Sequence, residues 1–73
     1  MKLPASLSGG ELRRALERAG FVFQRQRGSH MVLRRDDPYG RVVVPDHGVL
    51  RAGTLRQSLQ EAGISVEELL RLL

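Results

Sequence analysis

The amino-acid sequence predicts an α+β fold in which helices pack on one face of a three-stranded antiparallel sheet. Three observations predict it. The chain has only 73 residues, its apolar residues follow a helical period near both ends, and they alternate with a period of two in the middle. The predicted order is α-β-β-β-α with a short helical tail, and residues 1–73 are expected to form one domain.

The first helix is predicted over Gly9–Ala19. Ser8 and Glu11 have the spacing of a capping box, in which the Ser8 side chain caps the Glu11 amide while Glu11 bonds back to Ser8. Apolar residues then recur at helical spacing, and Gly20 stands where a residue in the left-handed region commonly ends a helix.

Three strands are predicted after this helix. Phe21–Gln24 alternates in polarity and is followed by the polar run Arg25–Ser29, which is predicted as a turn. His30–Arg34 alternates again, and Asp36–Gly40 is rich in turn formers. Arg41–Val44 is a β-branched run typical of a strand. The order predicts an antiparallel meander.

A second helix is predicted after a loop that reaches Gly53. Thr54 begins another capping box, and Gly63 marks the end of the helix. Ser65 opens a short apolar tail in the same way. The last part of this tail, Leu69–Leu73, either covers an edge of the core or forms a surface for association with a partner protein.

Charge and composition restrict the function. The net charge is +4, Lys2 is the only lysine, and arginine supplies the rest of the positive charge. The planar guanidinium group matches phosphate bidentately, so this composition favours nucleic-acid binding, although a general arginine bias has the same appearance. Phe21, Phe23 and Tyr39 are too few for a base-stacking platform, so recognition is expected to rest on the nucleic-acid backbone and shape.

Several other classes are disfavoured. The chain has no cysteine, which excludes a disulfide framework and a cysteine zinc site. Its two histidines lack the close spacing of zinc ligands, so we expect neither a metal nor another cofactor. No apolar run approaches the roughly 20 residues of a membrane span, and the beginning of the chain lacks the apolar stretch of a secretion signal. We therefore expect a cytoplasmic protein.

A set of motifs occurs in a fixed order along the chain. Gly28-Ser29-His30 begins a strand, Val44–His47 ends one, Gly53–Arg56 opens a helix, and Ala62–Ser65 follows that helix. Together these motifs resemble the HicA family over nearly the whole chain. The resemblance implies a fold similar to the double-stranded-RNA-binding domain. It also implies an mRNA interferase, the toxin of a type II toxin-antitoxin system, which a HicB antitoxin holds inactive.

The resemblance assigns the catalytic role to His30, with Gly28 and Ser29 as its motif neighbours. Histidine side chains ordinarily titrate near pH 6.5, so one can take the proton from a ribose 2′-hydroxyl without help from a metal. If Met31 faces the core, the strand pattern turns His30 away from it. Without the resemblance, His30 is more simply an exposed strand residue.

His47 is the second catalytic candidate. The interpretation that we favour is structural, with His47 fixing the exit from the third strand through a hydrogen bond to the backbone. The alternative is that His47 protonates the leaving group. Asp46 either orients an imidazole or is an ordinary turn residue, as aspartate before a glycine-containing loop usually is.

Three arginines near His30 are expected to contact RNA. Arg34 lies on the same strand face as His30 but about 13 Å away, at roughly 3.3 Å per residue, so we interpret it as a substrate clamp. Arg25 and Arg27, in the polar run before His30, are alternative donors. The sequence does not decide which arginine stabilises the transition state.

A separate group of RNA-binding candidates opens the second helix. Free amides at a helix start attract anions, and Arg51 and Arg56 would add two guanidinium groups beside Thr54. The alternative is ordinary capping by Thr54 with exposed arginines, which needs no ligand.

The sequence therefore predicts a metal-independent endoribonuclease whose partners are RNA and a HicB-type antitoxin. The alternative is an RNA-binding module without catalysis, because electrostatic binding needs only the arginines. The two hypotheses differ in the effect of His30→Ala, which abolishes cutting by an enzyme and hardly changes a pure binder.

Overall fold

The computed structural model describes residues 2–73, so Met1, which the predicted domain includes, lies outside the described residues. The elements, in chain order, are α1 (Gly9–Arg18), β1 (Val22–Arg27), β2 (His30–Asp36), β3 (Tyr39–Pro45), α2 (Ala52–Ala62) and α3 (Val66–Leu72). The strands form one antiparallel sheet in the order β1-β2-β3. The predicted fold class is confirmed, with α3 as the helical tail.

The first capping box forms as predicted. The Ser8 hydroxyl accepts from the Glu11 amide at 3.0 Å, and the Ser8 amide donates to the Glu11 carboxylate at 2.9 Å. Gly20 has a φ of +97°, which L side chains rarely adopt. Helix α1 ends at Arg18, one residue earlier than predicted, with Ala19 as its C-cap.

The polar run Arg25–Ser29 is not a turn as predicted. Strand β1 continues through it to Arg27, leaving Gly28-Ser29 as a two-residue connection. Side-chain polarity was a poor guide here, because these side chains are exposed while the backbone pairs with β2. A register shift between Phe23 and Arg25 marks a bulge in β1.

The second connection is also shorter than predicted. Only Asp37 and Pro38 form the turn, so β2 extends to Asp36 and β3 begins at Tyr39. Turn-forming residues thus occupy strand positions, because cross-strand pairing continues to Asp36 and Tyr39. Polar residues next to the turn are therefore part of the longer strands.

The start of α2 differs from the prediction. The helix begins at Ala52, with Arg51 at the N-cap and no side-chain cap, so Thr54 lies in the first turn and does not cap the helix. Buried contacts explain the earlier start: Leu50 is buried before the helix, and its amide donates to the Leu7 carbonyl at 2.8 Å. Ser65 does cap α3 as predicted, accepting from the amide of the third helical residue at 3.0 Å.

One face of the sheet packs against α1 and α2, and α3 packs against α1. The buried apolar side chains include Leu12, Leu16, Met31, Leu33, Val42, Val44, Leu55, Leu59 and Leu69. In α3, Leu69 is fully buried while Leu70 is 41% exposed, and Leu73, which follows the helix, is 49% exposed. The tail therefore covers the core with Leu69 and leaves other leucines in solvent.

Arg35 of β2 connects the sheet to the helical layer through hydrogen bonds. Its guanidinium group donates to the carbonyl of Ala19 at the end of α1 (2.9 Å) and to that of Ala62 at the end of α2 (3.4 Å). It also donates to Pro38 at 2.9 Å and lies 4.4 Å from the centroid of the Phe21 ring. One cation thus satisfies carbonyls at the negative ends of two helices.

Side chains of α2 reach the outer edge of β3. The Ser58 hydroxyl donates to the Val43 carbonyl at 3.1 Å, and the Val43 amide donates to the Glu61 carboxylate at 3.1 Å. The opposite edge, β1, pairs with no further strand in residues 2–73. The other face of the sheet is left open to solvent.

Candidate active site and nucleic-acid interface

His30 lies at the beginning of β2 and is exposed. The next residue, Met31, is buried, so His30 faces away from the core as expected. His30 is in register with Arg27 on β1 and with Pro45 on β3. Because Cα atoms of facing antiparallel residues lie about 4.5–5.5 Å apart, the backbone of Arg27 is much closer to His30 than that of Arg34.

The turn that carries the Gly28-Ser29-His30 motif is held from two sides. The Gln26 side-chain amide donates to the Gly28 carbonyl at 3.0 Å and to the Asp46 carboxylate at 3.2 Å. The Asp46 backbone amide donates to the Ser29 carbonyl at 2.6 Å. These bonds fix the motif against the exit from β3.

Sequence reasoning missed Gln26 and considered Asp46 only as a turn residue or an orienting group for an imidazole. The Asp46 carboxylate is instead paired with the Gln26 amide. The signal in the sequence was the position of Gln26, two residues before the two-residue connection. From there its side-chain amide can donate to a carbonyl of the turn. That signal was hidden because the whole run was interpreted as turn.

His47 is exposed in the loop after β3, and its backbone carbonyl accepts from the Gly9 amide at 2.9 Å. This bond connects the loop to the first residue of α1. The backbone of His47 therefore positions the start of α1, and its imidazole lies in solvent beside the motif-bearing end of the sheet. Gly9 packs so closely on Pro45 that a Cβ atom would overlap the Pro45 carbonyl.

The open face of the sheet extends from His30 toward the other hairpin. Cross-strand pairs on this face are Arg25 with Val32, Arg34 with Arg41, and Asp36 with Tyr39. A shallow depression of about 370 Å³ is lined by Gln24, Arg25, Val32, Arg34, Tyr39 and Arg41. The predicted Arg25 and Arg34 are thus brought together, and Arg41 and Tyr39 join them without having been predicted as site residues.

The chain matches a protein-family model. The model described as the HicA toxin of bacterial toxin-antitoxin systems matches residues 9–64. The chain belongs to the HicA toxin family. A comparison with curated proteins gave no significant match.

Membership of the HicA toxin family confirms the resemblance seen in the motifs. It gives the chain the class of a toxin from a toxin-antitoxin pair, with RNA as the general kind of target. The matched range runs from the first residue of α1 to Ile64, so it includes Gly28-Ser29-His30 and all three strands. Helix α3 lies beyond the matched range.

The second group of arginines in this HicA-family chain lies at the start of α2. Arg51 is the N-cap residue and Arg56 is exposed, while Thr54 is half-buried and makes no side-chain cap. The first amides of α2 are therefore not satisfied by a capping side chain. The short loop after Pro45 joins this region to the end of the sheet that carries His30.

Two further observations concern the described part of the chain. Residues 2–73 contain no group of three or more histidine, aspartate or glutamate side chains arranged to hold a metal ion. No helix among them has both the length and the apolarity to cross a bilayer.

Proposed function

We propose that this HicA-family chain is a metal-independent endoribonuclease, the toxin of a type II toxin-antitoxin system, with His30 as its catalytic residue. The observation that carries the proposal is the placement of His30. It is an exposed imidazole at the start of a strand, directly opposite Arg27 and on the basic face of the sheet.

His30 acts as general base in the proposed reaction. Its imidazole takes the proton of a ribose 2′-hydroxyl, the resulting oxyanion attacks the adjacent phosphorus, and the bond to the 5′-oxygen breaks. This chemistry leaves a 2′,3′-cyclic phosphate and a 5′-hydroxyl. The 5′-oxygen takes its proton from water or from His47, the second candidate.

Arg27 is the guanidinium group best placed to stabilise the negative charge that develops on phosphorus. It faces His30 across the hairpin, whereas Arg34 lies about 13 Å along β2 at roughly 3.3 Å per residue. Arg34 is also paired with Asp36 at 2.9 Å. We therefore propose Arg27 for charge stabilisation and Arg25 and Arg34 for binding of RNA outside the reacting group.

The proposed antitoxin partner is of the HicB type and acts in the cytoplasm with the toxin. Inhibition requires only that it cover His30 and the arginines around it, since RNA then reaches neither. An acidic partner surface complements this face.

Incubation of the purified chain with a long single-stranded RNA in excess EDTA tests the proposal. Wild type, His30→Ala and His47→Ala are compared on denaturing and native gels. Fragments from wild type and none from His30→Ala are expected, and the extent of cutting by His47→Ala shows whether His47 donates the second proton. RNA left intact by wild type but still shifted on the native gel contradicts the proposal and supports a binding module without catalysis.

A further inference from the structure

We infer that the open face of the sheet is a binding site for single-stranded RNA, in which Tyr39 stacks on one unpaired base while Arg41 and Arg25 contact backbone phosphates. The inference deepens the proposed function, on which it rests, by assigning a substrate form and a binding surface. It involves two residues, Tyr39 and Arg41, that sequence reasoning did not place in a site.

The charges on this face are strongly unbalanced. Arg25, Arg27, Arg34 and Arg41 share it with a single carboxylate, Asp36. Asp36 is bound to Arg34, with 2.9 Å between the guanidinium nitrogen and the carboxylate oxygen. Within residues 2–73, neither Arg25 nor Arg41 forms an ion pair.

Arg34 and Arg41 are directly opposite each other on neighbouring strands. Like charges at facing positions destabilise an antiparallel pair, so this arrangement costs folding free energy in the absence of an anion. A phosphate between the two guanidinium groups would reverse the sign of that interaction. Asp36 offsets part of this repulsion at Arg34, so Arg41 is the guanidinium group of the pair without a carboxylate partner in residues 2–73, and a phosphate would supply one.

Tyr39 has no role in the core. Its side chain is 70% exposed at the start of β3, and it lines the same depression as Arg41. Phe21, by contrast, is buried, and the ring of Phe23 is covered by Arg13 at 4.0 Å. Tyr39 is thus the ring available for a base in this part of the surface, enough for one base although not for a platform.

The requirement for an unpaired base follows from this geometry. In a duplex both faces of a base are covered by its neighbours, so a ring can stack only on a base in a single strand, loop or end. Val32 gives the depression an apolar floor, and the arginines surround it. Successive side chains on this face of β2 are roughly 6.6 Å apart, and the same face continues from the depression to His30. One strand of RNA can therefore lie in the depression and extend past His30.

Binding is best measured in the His30→Ala background, where RNA is not cut. The probe is a 5′-fluorescein single-stranded oligoribonucleotide of mixed sequence, followed by fluorescence anisotropy over a range of salt concentrations. The variants are Tyr39→Ala, Tyr39→Phe and Arg41→Ala. Arg71→Ala is the matched control, since it removes the same charge from an exposed site on α3.

We expect Tyr39→Ala to weaken binding roughly tenfold and Tyr39→Phe to retain it, since stacking needs the ring and not the hydroxyl. Arg41→Ala should reduce the slope of log K against log salt by about 0.7, the value for one phosphate contact in a single strand. Arg71→Ala should leave the slope unchanged. Thermal unfolding followed by circular dichroism verifies that each variant is folded.

Three results would overturn the inference: equal affinity in the Tyr39 and Arg41 variants and their parent, equally strong competition by a perfect RNA duplex, or loss of antitoxin binding with RNA binding unaffected. The last result would identify the face as a protein-docking surface. None of them depends on cleavage. If the wild-type chain fails to cut RNA while Tyr39→Ala still weakens RNA binding, the proposed ribonuclease activity is contradicted and the proposed RNA-binding site is supported.

Discussion

Gly9 and Pro45 meet without space for a side chain between them. A Cβ atom on Gly9 would overlap the Pro45 carbonyl and lie 3.1 Å from the Cα of Asp46. The first residue of α1 is thus seated on the end of β3, the strand that faces His30 at this position. The absence of a side chain at Gly9 sets how closely the helix approaches the proposed active site.

Gly9→Ala should destabilise the chain by about 1–3 kcal/mol, because the new methyl group meets backbone that cannot rotate away. The adjacent Gly10→Ala is the matched control. A Cβ there would find its nearest neighbours at 3.8 and 3.9 Å, so the change should stabilise α1 by about 0.5–1 kcal/mol. Urea unfolding of the two variants measures both effects, and equal midpoints would contradict the close packing described.

Gln26→Ala should slow RNA cleavage about tenfold, since it removes both side-chain bonds that hold the motif-bearing turn. The effect should fall on kcat with little change in KM, because the Gln26 side chain bonds the turn before His30 and is in register with Met31 of the core face, not with the basic face. Gln60→Ala, an exposed change on α2, should leave both constants unchanged. A Gln26→Ala enzyme with wild-type kcat would show that the turn keeps its shape without the amide.

Arg35→Lys should lower the free energy of unfolding by about 1–3 kcal/mol, since one ammonium group cannot reach the carbonyls of both Ala19 and Ala62. Arg34→Lys makes the same change one residue earlier on the opposite face. Its ion pair with Asp36 is half-exposed, so the loss there should stay within about 0.5 kcal/mol. Chemical denaturation distinguishes the two, and a similar loss in both would rule out a special role for Arg35.

Glu11 gives the chain an acid-sensitive helix start. Its pKa is lowered from the ordinary value of 4.5, chiefly by the hydrogen bond from the Ser8 backbone and then by the Ser8 side chain. A carboxylate with a lowered folded-state pKa stabilises the fold above pH 4.5, and this contribution is lost as the pH falls through the folded-state value. Glu11→Gln should therefore have a lower melting temperature than wild type near neutral pH, and the difference in melting temperature should disappear in strong acid. A difference that grows in acid would contradict this sign.

The start of α2 makes a separate prediction. Arg51→Ala and Arg56→Ala together should weaken RNA binding and reduce its salt dependence if phosphate docks at the uncapped helix start. Binding of the double variant is measured in the His30→Ala background over a range of salt concentrations. An unchanged salt slope would assign RNA binding to the sheet face alone.

The fold was predictable from the sequence because apolar periodicity reports which side chains enter a core. Leu12 and Leu16 in α1, and Met31 and Leu33 in β2, are all buried. The boundaries were less predictable where backbone pairing is independent of side-chain polarity. Strand β1 continues through polar side chains as far as Arg27. Helix α2 begins at Ala52, soon after the buried Leu50 and before Thr54, the residue with the best capping chemistry.

The candidate site was predictable only in part, for a different physical reason. The motif predicts His30 as the candidate catalytic residue, and the strand period predicts that its side chain faces away from the core. Arg41 and Tyr39 belong to the site because of the strand register, which brings distant positions together across β2 and β3. The bonds of Gln26 to Gly28 and Asp46 also depend on the tertiary path of the chain.

The contact of α2 with the edge of β3 also has a consequence for self-assembly. Val43 offers neither its amide nor its carbonyl to another strand, because Glu61 and Ser58 already bond to them. Strand addition at Val43 is therefore blocked, whereas β1 pairs with no further strand in residues 2–73 and is the edge at which another strand can add. Val43 is thus a position at which the sheet is protected from edge-to-edge association.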